Sequence, residues 1–255
     1  MEQKLGRTYA VLLTALSAAA AFGLRLRQLH TIYDELGRIV EGAGWSFFTV
    51  FTILMVLLYG VYAWFLRPRK KRTALAGRSL PVLLCGLAAA LLMVLGCAAM
   101  VLSPEEGTDR LLAVGGFLTA ACWLWTAMAR YCGKPLSLWL FLVPVLFFAM
   151  RLVINFRGWS RDPAILDYCY DLFAHISMTC ALLHMGSFCL DKGGRRITVF
   201  FCLCGLFFGA ASLAGARPRA ICVTGGAMVW LLTNLWLLLR PSKKRPAEAP
   251  EPENP

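Results

Sequence analysis

The sequence predicts an all-α, polytopic integral membrane helix bundle of about eight transmembrane helices, with its N- and C-termini cytoplasmic. Three observations carry this. Of the 255 residues, 59% are hydrophobic and only 16% are charged, against about 25% charged in a soluble domain. Several apolar runs reach the ~20 residues that a helix needs to cross a bilayer. The basic residues, which give a net charge of +12, fall in short clusters between those runs and accompany no recognition motif. That pattern fits membrane topology and gives no support for nucleic acid as a partner.

The runs cover 8–24, 45–66, 80–103, 111–130, 136–156, 167–190, 197–215 and 220–240. A lipid-exposed backbone must satisfy its own hydrogen bonds, which selects helix. The runs are also too long and too uniformly apolar for alternating barrel strands. The first follows a basic "KLGR" and ends in "ALSAAAAFG", a pattern shared with cleavable signal peptides. The later topology works with this span retained, so it is expected to stay. After it comes "LRLRQLHTIYDELGRIV", where Leu26, Leu29, Ile32, Tyr33, Leu36 and Val40 recur at helical spacing between Arg27, Asp34, Glu35 and Arg38. An interfacial helix is expected there; the alternative is an extension of the first span over the outer mouth. Residues 1–240 then form a single transmembrane domain. Residues 241–255, "PSKKRPAEAPEPENP", are rich in Pro and Glu and are expected to form a disordered cytoplasmic tail.

Lysine and arginine set the orientation. The connection "RPRKKRTALAGR" holds Arg67, Arg69, Lys70, Lys71, Arg72 and Arg78 and marks the cytoplasmic side. Lys4 and Arg7 place the N-terminus there. Arg130 and Lys134, then Lys192, Arg195 and Arg196, then Arg240, Lys243, Lys244 and Arg245 follow on the same side. The inside thus holds 17 of the 26 basic residues and the outside eight, with Arg151 left inside a span.

Motifs for specific chemistry are incomplete. The ten cysteines fall mostly inside apolar runs, where a thiol packs as a small hydrophobe. Cys202 and Cys204 are too close for ordinary zinc-ligand spacing. "EEGTDR", Glu105 to Arg110, matches the EExxxR pattern of the intramembrane CAAX-type protease family. That family also requires FxxxH, and the residues four before His175 and His184 are Asp171 and Cys180. "AVGGF" and "VTGGA" lack the Lys-Ser/Thr ending of a phosphate loop and read as small-residue positions for close helix packing. His175 and His184 are nine apart, so on one straight helix they face opposite sides and share no metal. Neither HExxH nor a serine elbow occurs. The expectation is therefore no catalytic set, no cofactor and no metal.

What remains is a pair of polar stripes. On the fifth span Phe147, Phe148, Arg151 and Asn155 share a face; on the sixth, Asp167, Asp171, His175, Met178 and Leu182 do. Arg151 and Asp171 lie at similar depth below the outer surface, about four to five residues at 1.5 Å each. A short connection sets consecutive helices side by side. A charge at mid-membrane costs at least ~2.5–3.5 kcal/mol, which pairing or water reduces. Arg151, Asn155, Asp167, Asp171 and His175 are the candidate ligand or ion-pair residues. Two readings stay open: a lock between helices, or an outward-facing pocket for a polar ligand or ion. Asn234, with Thr233, is expected to hydrogen-bond to a neighbouring helix.

The "LRLRQLHTIYDELG" segment, the small-residue spans and the compact loops resemble poorly characterised multi-pass proteins of Gram-positive gut bacteria. The resemblance implies a bacterial cytoplasmic membrane and supplies no activity. The leading functional expectation is an uncharacterised multi-pass protein that binds or transports a small polar solute through the site on helices five and six. The alternative is a non-transporting scaffold, sensor or assembly partner with a membrane-protein partner. An intramembrane enzyme comes last, because no complete catalytic constellation is present. The expected surroundings are the lipid bilayer, with anionic lipid at the basic cytoplasmic loops.

Overall fold

The structure is a computed structural model, and it describes residues 2–31, 46–67, 75, 79–104, 107–159 and 169–240. The described chain is helical: α1 (Glu2–Thr31), α2 (Ser46–Phe65), α3 (Leu80–Leu102), α4 (Asp109–Cys132), α5 (Trp139–Trp159), α6 (Cys169–Ser187), α7 (Arg195–Leu213) and α8 (Pro218–Leu238). A 3-10 turn, Phe188–Leu190, prolongs α6. Each of the eight contains a stretch long and apolar enough to cross a membrane, so this is a multi-pass membrane protein. Helix ends are called outer and inner after the Lys/Arg bias.

The predicted spans all appear, with shifted ends. The first grows most, from 8–24 to Glu2–Thr31. Leu26 and Leu29 therefore continue the first span, as the extension reading expects. Ile32 and the residues beyond it to 45 lie outside the described residues, as do Asp167 and the tail 241–255. At the far end of the extension, Leu29 meets Gly215 in the outer turn between α7 and α8. Gly215 has φ +79, and a Cβ added there would come within 2.9 Å of Leu29.

Helices α3 to α8 close into a ring: α3 packs on α4, α4 on α5, α5 on α6, α6 on α7, α7 on α8, and α8 back on α3. Helices α1 and α2 pack on the outside of α7. Burial follows that order, from 67% of the membrane-crossing window in α7 to 22% in α2. Phe47, Val50, Leu54, Leu57, Val61 and Trp64 of α2 stay exposed. Such an apolar strip suits contact with lipid tails and not with water. Ser17 of α1 and Tyr59 of α2 share a hydrogen bond that joins these two outer helices.

Glycine sets the closest approaches. Gly96 of α3 lies against the turn of α8 from Arg219 to Val223, and Gly226 of α8 lies against the turn of α3 from Ala89 to Met93. The two contacts are reciprocal, as an antiparallel pair requires. On α7, Gly205 and Gly209 sit four apart and both face Met178 of α6, a GxxxG spacing that lets packed helices approach closely. Helix α4 ends at Gly133 in the left-handed conformation (φ 72). There Gly133 N–H donates to Arg130 C=O (3.2 Å) and Lys134 N–H to Ala129 C=O (2.8 Å), the paired bonds of a Schellman cap.

Two inner arginines serve the fold directly. Arg196 Nε donates to Leu66 C=O (2.8 Å) and Arg195 Nη1 to Arg67 C=O (3.3 Å), just past the inner end of α2. Arg196 also lies over the Trp64 ring at 5.5 Å. Carbonyls at a helix end lack intrahelical donors, and these two cations supply them. Arg196→Ala is expected to cost about 1 kcal/mol and to loosen α2, read as earlier proteolysis or deuterium uptake there. Arg196→Lys should recover part of the stability.

Candidate functional site

At the outer end of the ring, α5 and α6 bring Arg151, Asp171 and His175 together. Arg151 is 5% exposed and His175 only 1%. Asp171 lies in the first turn of α6, where a carboxylate meets the positive end of the helix dipole, and its side chain keeps 29% of its surface exposed. Its carboxylate is the charged group that acts most strongly on Arg151, followed by Arg219 and Asp109. Even so, Arg151 forms no direct ion pair with Asp171 among the described residues, and its Nη1 is buried without a hydrogen-bond partner.

His175 turns back on its own helix. Its Nδ1 lies 2.7 Å from the Asp171 backbone carbonyl and 3.5 Å from the Asp171 carboxylate. A carbonyl only accepts, so Nδ1 carries the proton; in the neutral ring Nε2 is then the acceptor. The Phe148 ring lies beside the imidazole, with centroids 6.2 Å apart. Asn155 is half-buried one turn above Arg151 and is not drawn into this group. Asp167 lies outside the described residues. A guanidinium donor without a partner, a carboxylate in reach of water and, one turn deeper, an imidazole acceptor thus lie near one another at the outer end.

Below and beside the group runs a seam on α4. Asp109, Gly116, Trp123 and Arg130 are each seven apart and all buried. Seven residues are about two turns, so they form one stripe of about 32 Å, the thickness of the hydrocarbon core. Helix α3 packs on both α4 and α8, and side chains of those two helices meet inside the ring at three depths. Arg219 Nη1 donates to Asp109 Oδ2 at the outer end (2.8 Å). Trp123 stacks on Trp230 at the middle, 5.2 Å between centroids. Arg130 Nη2 donates to Asn234 Oδ1 at the inner end (2.7 Å). Asn234 does bond to a neighbouring helix, as expected. At Gly116 an added Cβ would overlap Cys97 Sγ of α3 and come within 3.5 Å of Phe147 of α5.

Sequence reasoning passed over Asp109 and Arg219, because hydropathy assigned them to the connections, and over Arg130, because at the inner end of its span it counted with the inner basic residues. A signal existed for the outer pair. Both residues lie in the first turn of a helix at the outer face. The step that was missing was the adjacency of α4 and α8 beside α3.

Among the described residues, no group of three or more His, Cys, Asp or Glu side chains is placed to hold a metal ion. Cys202 and Cys204 are buried in the core around α7. No family model, no curated protein and no solved structure matches the chain.

Proposed function

We propose that the protein binds a small polar solute carrying an anionic group at the outer end of the ring, between α5 and α6, and that this is the outer station of a transport path. One observation carries the reading: Arg151 is buried with an unpartnered Nη1 although a carboxylate lies nearby. A buried unsatisfied donor costs about 1–3 kcal/mol, more when charged. A bound anionic group removes that cost. His175 Nε2 offers an acceptor, and Asp171 a carboxylate for a positive or hydrogen-bond-donating part of the same solute. The stacked Trp123 and Trp230 join α4 and α8 at mid-membrane depth, and on this reading the resting form holds the solute on the outer side.

The experiment is a melting series on the detergent-purified protein with small carboxylates, phosphate esters and amino acids. One class is expected to raise the midpoint saturably. Arg151→Gln should melt cooperatively and lose that rise, and Asp171→Asn should reduce it. An equal rise in Arg151→Gln would overturn the reading.

A further inference from the structure

We infer that a small inorganic anion of halide size is a resident ligand at the inner end of the ring, held by Arg130 beneath the Trp123–Trp230 stack. This site is separate from Arg151 and does not rest on the outer solute site. Arg130 is two residues from the inner end of α4 but only 3% exposed. A cation so near a helix end ordinarily snorkels to water. Helical side chains instead lean toward their own N-terminus, and Arg130 follows that lean into the bundle, placing its guanidinium 5.3 Å from the centre of the Trp230 ring.

The surroundings supply donors and almost no acceptor. Among the described residues, the one hydrogen-bond acceptor that Arg130 finds is Asn234 Oδ1, at 2.7 Å. Asn234 Nδ2 is tied to the Trp230 carbonyl (2.8 Å), which fixes the amide with its oxygen toward Arg130. Among the described residues no carboxylate is paired with Arg130; the titratable neighbour is the Cys189 thiol. Arg130 Nε, Trp123 Nε1 and Trp230 Nε1 are all buried without a partner. The carbonyl end of α4 offers a partial negative charge, of which the Arg130 and Ala129 carbonyls are taken by the Gly133 and Lys134 N–H groups. A buried cation with an orphaned N–H of its own and no carboxylate partner among the described residues calls for an anion. Indole and guanidinium N–H groups are the donors that a halide takes.

The test compares the full-length protein in chloride and in gluconate, which is too large for such a site. The melting midpoint of the wild type should rise saturably when chloride replaces gluconate at constant ionic strength, by several degrees at saturation. Bromide should substitute for chloride and quench part of the tryptophan emission. Arg151→Gln should keep the full chloride dependence, which separates this site from the outer one. Arg130→Gln should lose it. Should Arg130→Gln fail to fold, Asn234→Asp serves instead: its carboxylate supplies the counter-charge internally, so its midpoint should no longer depend on chloride. Equal midpoints for the wild type in chloride and gluconate, an unchanged chloride dependence in Asn234→Asp, or a response to added phosphatidylglycerol in place of chloride would each overturn the inference.

Discussion

Gly226→Leu is expected to prevent the protein from accumulating in folded form, while Gly225→Ala, one residue earlier, leaves it intact. A Cβ at Gly226 would lie 2.9 Å from the Ala89 carbonyl oxygen and 3.2 Å from Met93 N. Those are backbone atoms of α3 and have no rotamer to change. Around Gly225 nothing lies within 4 Å. Alanine at Gly226 should cost about 1–3 kcal/mol through overpacking, and leucine should force α3 and α8 apart. Gly225→Ala should be neutral or gain up to about 1 kcal/mol from the better helix former. Gly96 is the reciprocal position, where an added Cβ would lie 3.0 Å from both the Arg219 carbonyl oxygen and Val223 N, so Gly96→Leu should repeat the defect. Size-exclusion profiles and melting of the detergent-extracted variants separate the two outcomes. If Gly225→Ala and Gly226→Ala melt alike, the α3–α8 contact is not what closes the ring.

Asp109→Ala is expected to be nearly as damaging, for an electrostatic reason. The Asp109–Arg219 contact is 2.8 Å, with 8% and 17% of the two side chains exposed. Losing one member of a buried pair costs about 3–5 kcal/mol, because the other charge stays in a low-dielectric site. The partial exposure of Arg219 puts this case near the lower end. There is a second consequence, since Arg219 also acts on Arg151 as a like charge. Without Asp109 the two arginines lose a carboxylate that acts on both. Exchanging the residues, Asp109→Arg with Arg219→Asp, should restore much of the melting midpoint lost in either single variant. A double-mutant cycle measures that coupling directly. A cycle that closes to zero would remove the pair as a link between α4 and α8.

The eight spans were legible because length and apolar content alone identify a membrane helix. The order of the ring was not. Leu80–Leu102 is apolar on every side, so no polar stripe marks the face toward Pro218–Leu238, more than a hundred residues away in the chain. "VTGGA" did advertise small residues, yet only Gly226 of its two glycines faces another helix closely. Arg151 and Asp171 could be matched from depth because α5 and α6 are consecutive, and His175 followed from its spacing on the face of Asp171. Arg130 and Asn234 lie 104 positions apart, and Arg130 sat at the expected end of its span, where an inner-loop arginine is unremarked. Its inward lean is a property of side-chain direction and packing, which hydropathy does not carry.

The most direct measurement of the outer site is thiol accessibility at Asp171. With Cys169 and Cys222 changed to serine to quiet the outer ends of α6 and α8, Asp171→Cys should react with membrane-impermeant methanethiosulfonates added from outside. The anionic sulfonatoethyl reagent should react faster than the cationic trimethylammonium one, because Arg151 stands beside the new thiol without its nearest carboxylate. That preference should vanish when Arg151→Gln is added. A thiol that reacts only from the inside, that does not react, or that takes the cationic reagent as fast as the anionic one would contradict an outward-open anion-selective site at Arg151.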